Sequence, residues 1–151
     1  VEELVQTILQ TMMHQIAERQ VKITVDRLPQ VTADRASIAL IMDNLLSNAI
    51  LYLIPNRPGE IEISAESNRD ETTFRIHDNG RGIAEGDMHK VFSPFRRAGK
   101  ADVPGEGIGL AYAQTLIRRH GGHIWCESEL GVGTTFTFTI SNHSTKGNRH
   151  V

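Results

Sequence analysis

The chain has 151 residues, 39% of them hydrophobic and 23% charged, with a formal net charge of -2. That is the composition of one soluble globular domain with a real core, and the near-neutral balance argues against nucleic-acid or membrane-surface binding. The single cysteine, Cys126, excludes an internal disulfide and suits a reducing cytosol, no apolar run approaches membrane-spanning length, and a start in mid-helix without Met marks the chain as an expected piece of a longer protein.

Residues 1–19 are predicted as one helix with Leu4, Val5, Ile8, Leu9, Met12 and Ile16 on one face. A short strand over 21–25 and a connection over 28–34 containing Pro29 follow. A second amphipathic helix begins near Asp34 and ends before Pro55, its apolar stripe formed by Ile38, Ile41, Met42, Leu45, Leu46, Ala49 and Leu53. Two asparagines, Asn44 and Asn48, fall one turn apart on the edge of that stripe, beside Ile41. Asn is a poor helix-interior residue because its amide competes for backbone hydrogen bonds. The pair is either solvated surface or the border of a cleft, and the helix alone leaves both readings open.

After the turn "NRPG" (56–59), residues 60–67 alternate as a half-buried strand with Ile61, Ile63 and Ala65 on one face, and 72–78 form a second. Residues 79–106 are rich in Gly, Pro and charge, with short apolar pieces such as "VFSPF" (91–95). A helix over 108–120 places Tyr112, Ala113, Leu116 and Ile117 inward and ends at Gly121 and Gly122. Strands over 123–128 and 134–141 flank the turn "ELGVG", and the polar tail 142–151 is expected to fray. The order predicts an α+β fold: a two-layer α/β sandwich of helices on one face of a mixed sheet.

Three glycine clusters and one carboxylate carry the chemistry. In "HDNGRGI" (77–83), Asp78 shares the parity of Phe74 and Ile76 and so points inward at a strand end, where it needs hydrogen-bond donors. Alone, "DNG" is as consistent with a turn-capping Asp as with a base reader that accepts from adenine's amino group while Gly80 and Gly82 let the backbone approach the ring. "GEGIGLA" (105–111) sets glycines at a helix N-terminus, where backbone amides bind phosphate. It is neither a Walker P-loop nor a dinucleotide fingerprint. In "GVGTTF" (131–136), Thr134 shares the parity of Phe136, Phe138 and Ile140, which would put its hydroxyl in the same interior as Asp78.

In order and spacing, "NLLSNA", "DNGRGI", "VFSPF", "GEGIGL" and "GVGTTF" resemble the asparagine, first glycine, phenylalanine, second glycine and third glycine boxes of the catalytic and ATP-binding domain of sensor histidine kinases. That family belongs to the superfamily that also holds the gyrase-type ATPases. The stretch "RRHGGHIWCESELGVGTTFTF" resembles the phytochrome-like branch. The resemblance implies a Bergerat-type fold, with three main helices on one face of a roughly five-stranded mixed sheet. It divides the chain into a catalytic domain over 1–141 and a polar tail over 142–151. By resemblance Asn48 binds the Mg²⁺ held by the triphosphate and Asn44 supports it. Asp78 reads adenine's amino group, helped by Thr134 through a water, Gly80, Gly82 and Ile83 line the base pocket, and Tyr52 is a further nucleotide-binding residue. Gly105, Gly107 and Gly109 hold the phosphates, with Ile108 and Leu110 beside them as nucleotide-binding residues, and Arg96, Arg97 and Lys100 are candidate cations in a lid over 94–104. Hydrolysing members of the superfamily carry Glu where this chain has Asn44. An amide cannot act as a general base, so the site is suited to phosphoryl transfer.

The implied activity is transfer of the ATP γ-phosphoryl group to a histidine on a separate dimerisation and acceptor domain of the same parent. A response regulator receiver domain would then be the downstream partner. The parent is expected to be a cytoplasmic or membrane-anchored homodimer, and the isolated domain a cytoplasmic monomer. His14, in "MMHQIAER", lacks the acidic residue and Pro of an acceptor motif and reads as ordinary surface. Two departures, Leu51 where the family often has Lys or Arg and Glu106 where it has Thr, support an alternative: a regulatory module that binds nucleotide without transferring phosphate. A gyrase-type ATPase ranks third, because of Asn44.

Overall fold

The computed structural model describes residues 1–93, 107–143 and 149–150. Five strands lie side by side in the order β1 (Lys22–Val25), β3 (Glu60–Ser67), β4 (Glu71–Asp78), β6 (Gly133–Ser141) and β5 (Ile124–Glu129). The β1–β3 pair is parallel and the others are antiparallel. One face of this mixed sheet carries Ile61, Ile63, Phe74, Ile76, Phe136, Phe138 and Ile140, all buried, with the Phe74 and Phe138 rings stacked at 4.9 Å between centroids. Three main helices cover it: α1 (Glu2–Thr11), α3 (Arg35–Leu51) and α4 (Gly107–Arg119). This is the two-layer α+β arrangement the sequence predicts.

Helix α3 is the middle of the helical layer, touching α1, α4 and β4, and its buried set extends round to Ile50. The Asp34 carboxylate caps its start by accepting from the Ser37 amide at 3.0 Å and the Ser37 hydroxyl at 2.7 Å, satisfying an amide the first turn leaves unpaired. At the far end Arg19 donates to the carbonyls of Ile50 (3.1 Å) and Leu51 (3.3 Å), a cation at the negative end of the helix. His120 joins the start of α3 to the end of α4: its Nε2 accepts from the Asp34 amide at 3.2 Å, while Nδ1 lies 2.8 Å from the Leu116 carbonyl.

Three local features differ from the sequence prediction. The first helix breaks at Met12 (φ -104°, ψ 6°) into α1 and α2 (Met13–Glu18). The Thr11 hydroxyl draws on the Ile8 carbonyl at 2.6 Å, and α2 buries none of its residues fully, with Ile16 only partly buried against the core. His14 stands exposed on α2, 3.7 Å from Glu18. In the connection and the tail, β2 (Thr32–Ala33) pairs antiparallel with β7 (Arg149–His150), so the tail expected to fray carries a strand at that point. Within the Gly- and Pro-rich stretch, Glu85–Lys90 forms a 3-10 turn.

The end of α4 shows why "HGG" reads correctly as a stop. Gly121 has φ +71°, and the amides of Gly121 and Gly122 return to the carbonyls of Arg118 and Ile117, both at 3.0 Å. This is the paired-bond cap that a left-handed residue completes. A Cβ on Gly122 would sit 1.7 Å from the Thr139 carbonyl oxygen of β6, whereas one on Gly121 would meet only the Ser141 side chain, at 3.1 Å. Gly121→Ala is therefore expected to cost about 1–2 kcal/mol, the penalty of a left-handed residue with a Cβ. Gly122→Ala should cost more, because β6 must move. Urea unfolding of both variants checks the order; equal midpoints would show that α4 and β6 approach less closely.

Candidate functional site

One row of side chains crosses four strands on the helix-covered face. Ile61 pairs with Asp78, Asp78 with Thr134, and Thr134 with Ser128. The alternation that buries Phe74 and Ile76 carries Asp78 inward as the last residue of β4, 4% exposed. Its Oδ1 accepts from the Gly80 amide at 2.9 Å. Burial pushes the Asp78 carboxyl up to about 6, although the Gly80 amide, His77 and the Thr134 backbone all favour the ionised form. A buried carboxylate whose donors do not offset its lost hydration is poised to accept from a ligand.

Ser128 connects this row to the loop after β4. Its Oγ accepts from the Ile83 amide at 2.7 Å and donates to the Gly133 carbonyl at 2.9 Å. The Thr134 hydroxyl, 2.8 Å away, must then give its own proton to Ser128, because a hydroxyl has one proton to donate. Thr134 is left with free lone pairs, so Asp78 and Thr134 both present acceptors. Beside them burial pushes the Cys126 thiol up to about 12, helped by Asp78 and Glu127, making it an inert wall.

The glycines of the first cluster allow close backbone approach. Gly82 has φ +72°, and a Cβ there would fall 2.2 Å from the Glu129 carbonyl oxygen; on Gly80 it would fall 2.6 Å from the Tyr52 carbonyl oxygen. That carbonyl, just past α3, accepts from the Arg81 amide at 3.0 Å, and the Arg81 guanidinium lies 4.5 Å over the Tyr52 ring. The end of α3 is thereby seated on the loop. Asn48 and Asn44 lie one and two turns before Tyr52 on the same helix, both half-buried.

The structure thus brings Asp78, Gly80, Gly82, Ile83, Thr134 and Tyr52 to one end of the sheet. Gly107, Ile108 and Gly109 form the first turn of α4, and Leu110, the next residue, is buried in the core. Phe92 of "VFSPF" meets Phe136 edge-to-face at 6.2 Å. Arg96, Arg97, Lys100, Gly105 and the lid 94–104 lie outside the described residues. Sequence reasoning missed Ser128, Arg81 and Arg57. Ser128 was legible in principle, since it shares the inward parity of Ile124 and Cys126 on β5; nothing in the sequence pointed to the other two.

The profile of the histidine kinase-, DNA gyrase B-, and HSP90-like ATPases matches residues 33–144. The chain is 39% identical over 141 residues to cyanobacterial phytochrome A of Nostoc sp. (strain PCC 7120 / SAG 25.82 / UTEX 2576), covering 93% of this chain and 18% of that protein. It is 39% identical over 120 residues to sensor histidine kinase WalK of Bacillus subtilis (strain 168), covering 76% of this chain and 19% of that one. The catalytic domain of histidine kinase ThkA superposes with a TM-score of 0.79 at 28% identity, over 93% of each chain. ThkA in complex with the response regulator TrrA superposes at 0.75 and 26% identity, over 95% of this chain and 40% of that one. The chain belongs to the histidine kinase-, DNA gyrase B-, and HSP90-like ATPase family, is homologous to the catalytic domains of histidine kinases, and spans about a fifth of the length of the curated relatives it matches.

The raised carboxyl has a stability consequence. Its folded value of about 6 lies above the ordinary 3.8, so Asp78 favours the fold at pH below 3.8 and loses that contribution as pH rises through about 6. Asp78→Asn, which keeps an oxygen for the Gly80 amide, should stabilise the free domain above that range by on the order of 2–3 kcal/mol. The gap should close in acid. Urea unfolding at pH 7.5 and pH 4 checks this; a gap independent of pH would mean that the Asp78 carboxyl is not raised.

Proposed function

We propose that this domain binds MgATP at the Asp78 end of the sheet and delivers the γ-phosphoryl group to a histidine on a separate acceptor domain of its parent. A ring nitrogen of that histidine forms the new bond to phosphorus, the bond from phosphorus to the bridging oxygen breaks, and ADP departs. The phosphohistidine then supplies an aspartate on a response regulator. The observation that carries this reading is the pair of acceptors, Asp78 and Thr134, aligned in one cross-strand row beside a glycine loop whose backbone leaves no room for a Cβ at Gly82. Adenine offers a donor amino group there, whereas guanine would present a carbonyl to a carboxylate.

The donor chemistry fits Mg²⁺ held through phosphate. Among the described residues no group of three or more His, Cys, Asp or Glu side chains could hold a metal. Mg²⁺ is commonly bound through one or two protein oxygens, waters and substrate phosphates, and the amide oxygen of Asn48 would be such a ligand, adding no negative charge. When bound, the ion would neutralise charge on the phosphates. Asn44, at the position of the hydrolysing relatives' general base, leaves water unactivated. Positioning and electrostatics carry most of a phosphoryl transfer, and the domain supplies both: Asp78 and Thr134 fix the base, the amides opening α4 face the phosphates, and Asn48 and Asn44 hold the metal end. The proposed setting is the cytoplasm, with the isolated domain monomeric. Among the described residues no helix is long and apolar enough to cross a membrane.

Calorimetry with ATP and GTP tests the base reading. ATP should bind well and GTP poorly, and Asp78→Asn should lose ATP by roughly tenfold or more, since hydrogen bonds to charged groups are worth about 1.5–3 kcal/mol. Equal affinities for the two nucleotides would overturn the pocket assignment. Asn48→Ala should weaken binding with Mg²⁺ present and leave metal-free binding unchanged; the same loss under both conditions would make Asn48 structural.

A further inference from the structure

We propose that Arg57 is a positioning residue for the nucleotide base: its guanidinium clamps the loop after β4 to the β5–β6 turn and so holds Asp78 and the glycine backbone in register. The inference rests on the adenine reading of the Asp78 end. Arg57 comes from the turn between α3 and β3. Its Nη1 donates to the Gly131 carbonyl at 3.3 Å, and the two N–H of its Nη2 are shared among the carbonyls of Asn79, of Gly80 at 3.0 Å and of Val132 at 3.2 Å. Two acceptors thus belong to each loop. The Arg57 turn is sewn to the first loop independently, because the Asn79 side chain donates to the Pro58 carbonyl at 3.0 Å and accepts from the Glu60 amide at 2.8 Å.

The arrangement serves the loops and not the arginine. Arg57 Nε is buried without a hydrogen-bond partner, the one such side-chain atom among the described residues, and a polar atom left in that state is unfavourable. A surface arginine kept for solubility would turn that N–H to water. Here the fork is held by four carbonyl oxygens whose negative ends converge. Remove the cation, and they repel one another and seek water.

The Gly80 peptide shows how the clamp reaches the base site. The N–H of the Asn79–Gly80 peptide donates to Asp78 Oδ1 at 2.9 Å while the carbonyl of the same unit, that of Asn79, accepts from Arg57. The unit is therefore fixed on both sides, and with it the orientation of the carboxylate. Across the gap the Gly131 amide donates to the Arg81 carbonyl at 2.7 Å and the Ile83 amide to Ser128 Oγ at 2.7 Å. Arg57 adds charge to these two neutral links. Without it the assembled pocket becomes one of several loop arrangements, and apparent affinity falls by the fraction that remains assembled. Lys, with a compact ammonium and no fork, can replace this only in part.

The test uses the full chain, Arg57→Met and Arg57→Lys, with adenosine and MgATP as calorimetric probes and amide hydrogen exchange on the unliganded protein. Arg57→Met should lose about tenfold or more in affinity, by the same factor for both probes because the effect lies at the base end, and Arg57→Lys should recover part of it. In the free protein, exchange should rise at the Gly80, Ile83 and Gly131 amides and stay unchanged through β4 and β6. A loss confined to MgATP would make Arg57 a phosphate contact and overturn the proposal. So would unchanged affinity for both probes, or faster exchange across the whole sheet. Failure of the parent to bind either probe, with the loop exchange as expected, would instead overturn the adenine reading on which the proposal rests.

Discussion

Everything at this end of the molecule follows from one unfavourable placement, an aspartate on the buried side of a strand. The alternation that packs Phe74 and Ile76 against the helices carries Asp78 inward with them, and the backbone of Gly80 and Thr134 does not restore what water supplied. A core built only for stability would put an apolar side chain here. The surroundings instead sharpen the site: Thr134 is turned into an acceptor by Ser128, and Cys126 is kept neutral. Local stability is given up where a donor-bearing ligand can restore it.

The loops around that carboxylate are held by backbone chemistry more than by side-chain packing. Gly80, Gly82 and Gly133 each meet a carbonyl at a distance that admits no Cβ. Tyr52, Arg81, Ile83 and Gly131 close the remaining links through amides and carbonyls. Such a frame is directional, so its geometry is set by a few hydrogen bonds, and a charged group such as Arg57 can govern it from outside.

The main elements were legible in the sequence because each follows a period: the stripe of α3, the two-residue alternation of β3, β4 and β6, and the double glycine after α4. So was the inward aim of Asp78 and Thr134, which needs parity alone. What escaped lacks a periodic or compositional mark. The exit from α2 is a left-handed cap made by Gln20 (φ +52°), where glycine would be the usual signal. The β2–β7 pair is two residues long and joins distant parts of the chain. Arg57 and Arg81 act through contacts made only once the chain is folded, and in sequence they are ordinary charged residues beside glycine or proline.

The His120 link has a mechanical meaning. By joining the start of α3 to the end of α4, it makes the two helices an antiparallel pair riveted at one extremity. Asn44, Asn48 and the glycines that open α4 stand toward the other. Arg19 and the Tyr52–Arg81 link hold the far end of α3, so the helix is moored at both extremities and the bearing of Asn44 and Asn48 on the start of α4 is set by the anchors at its ends.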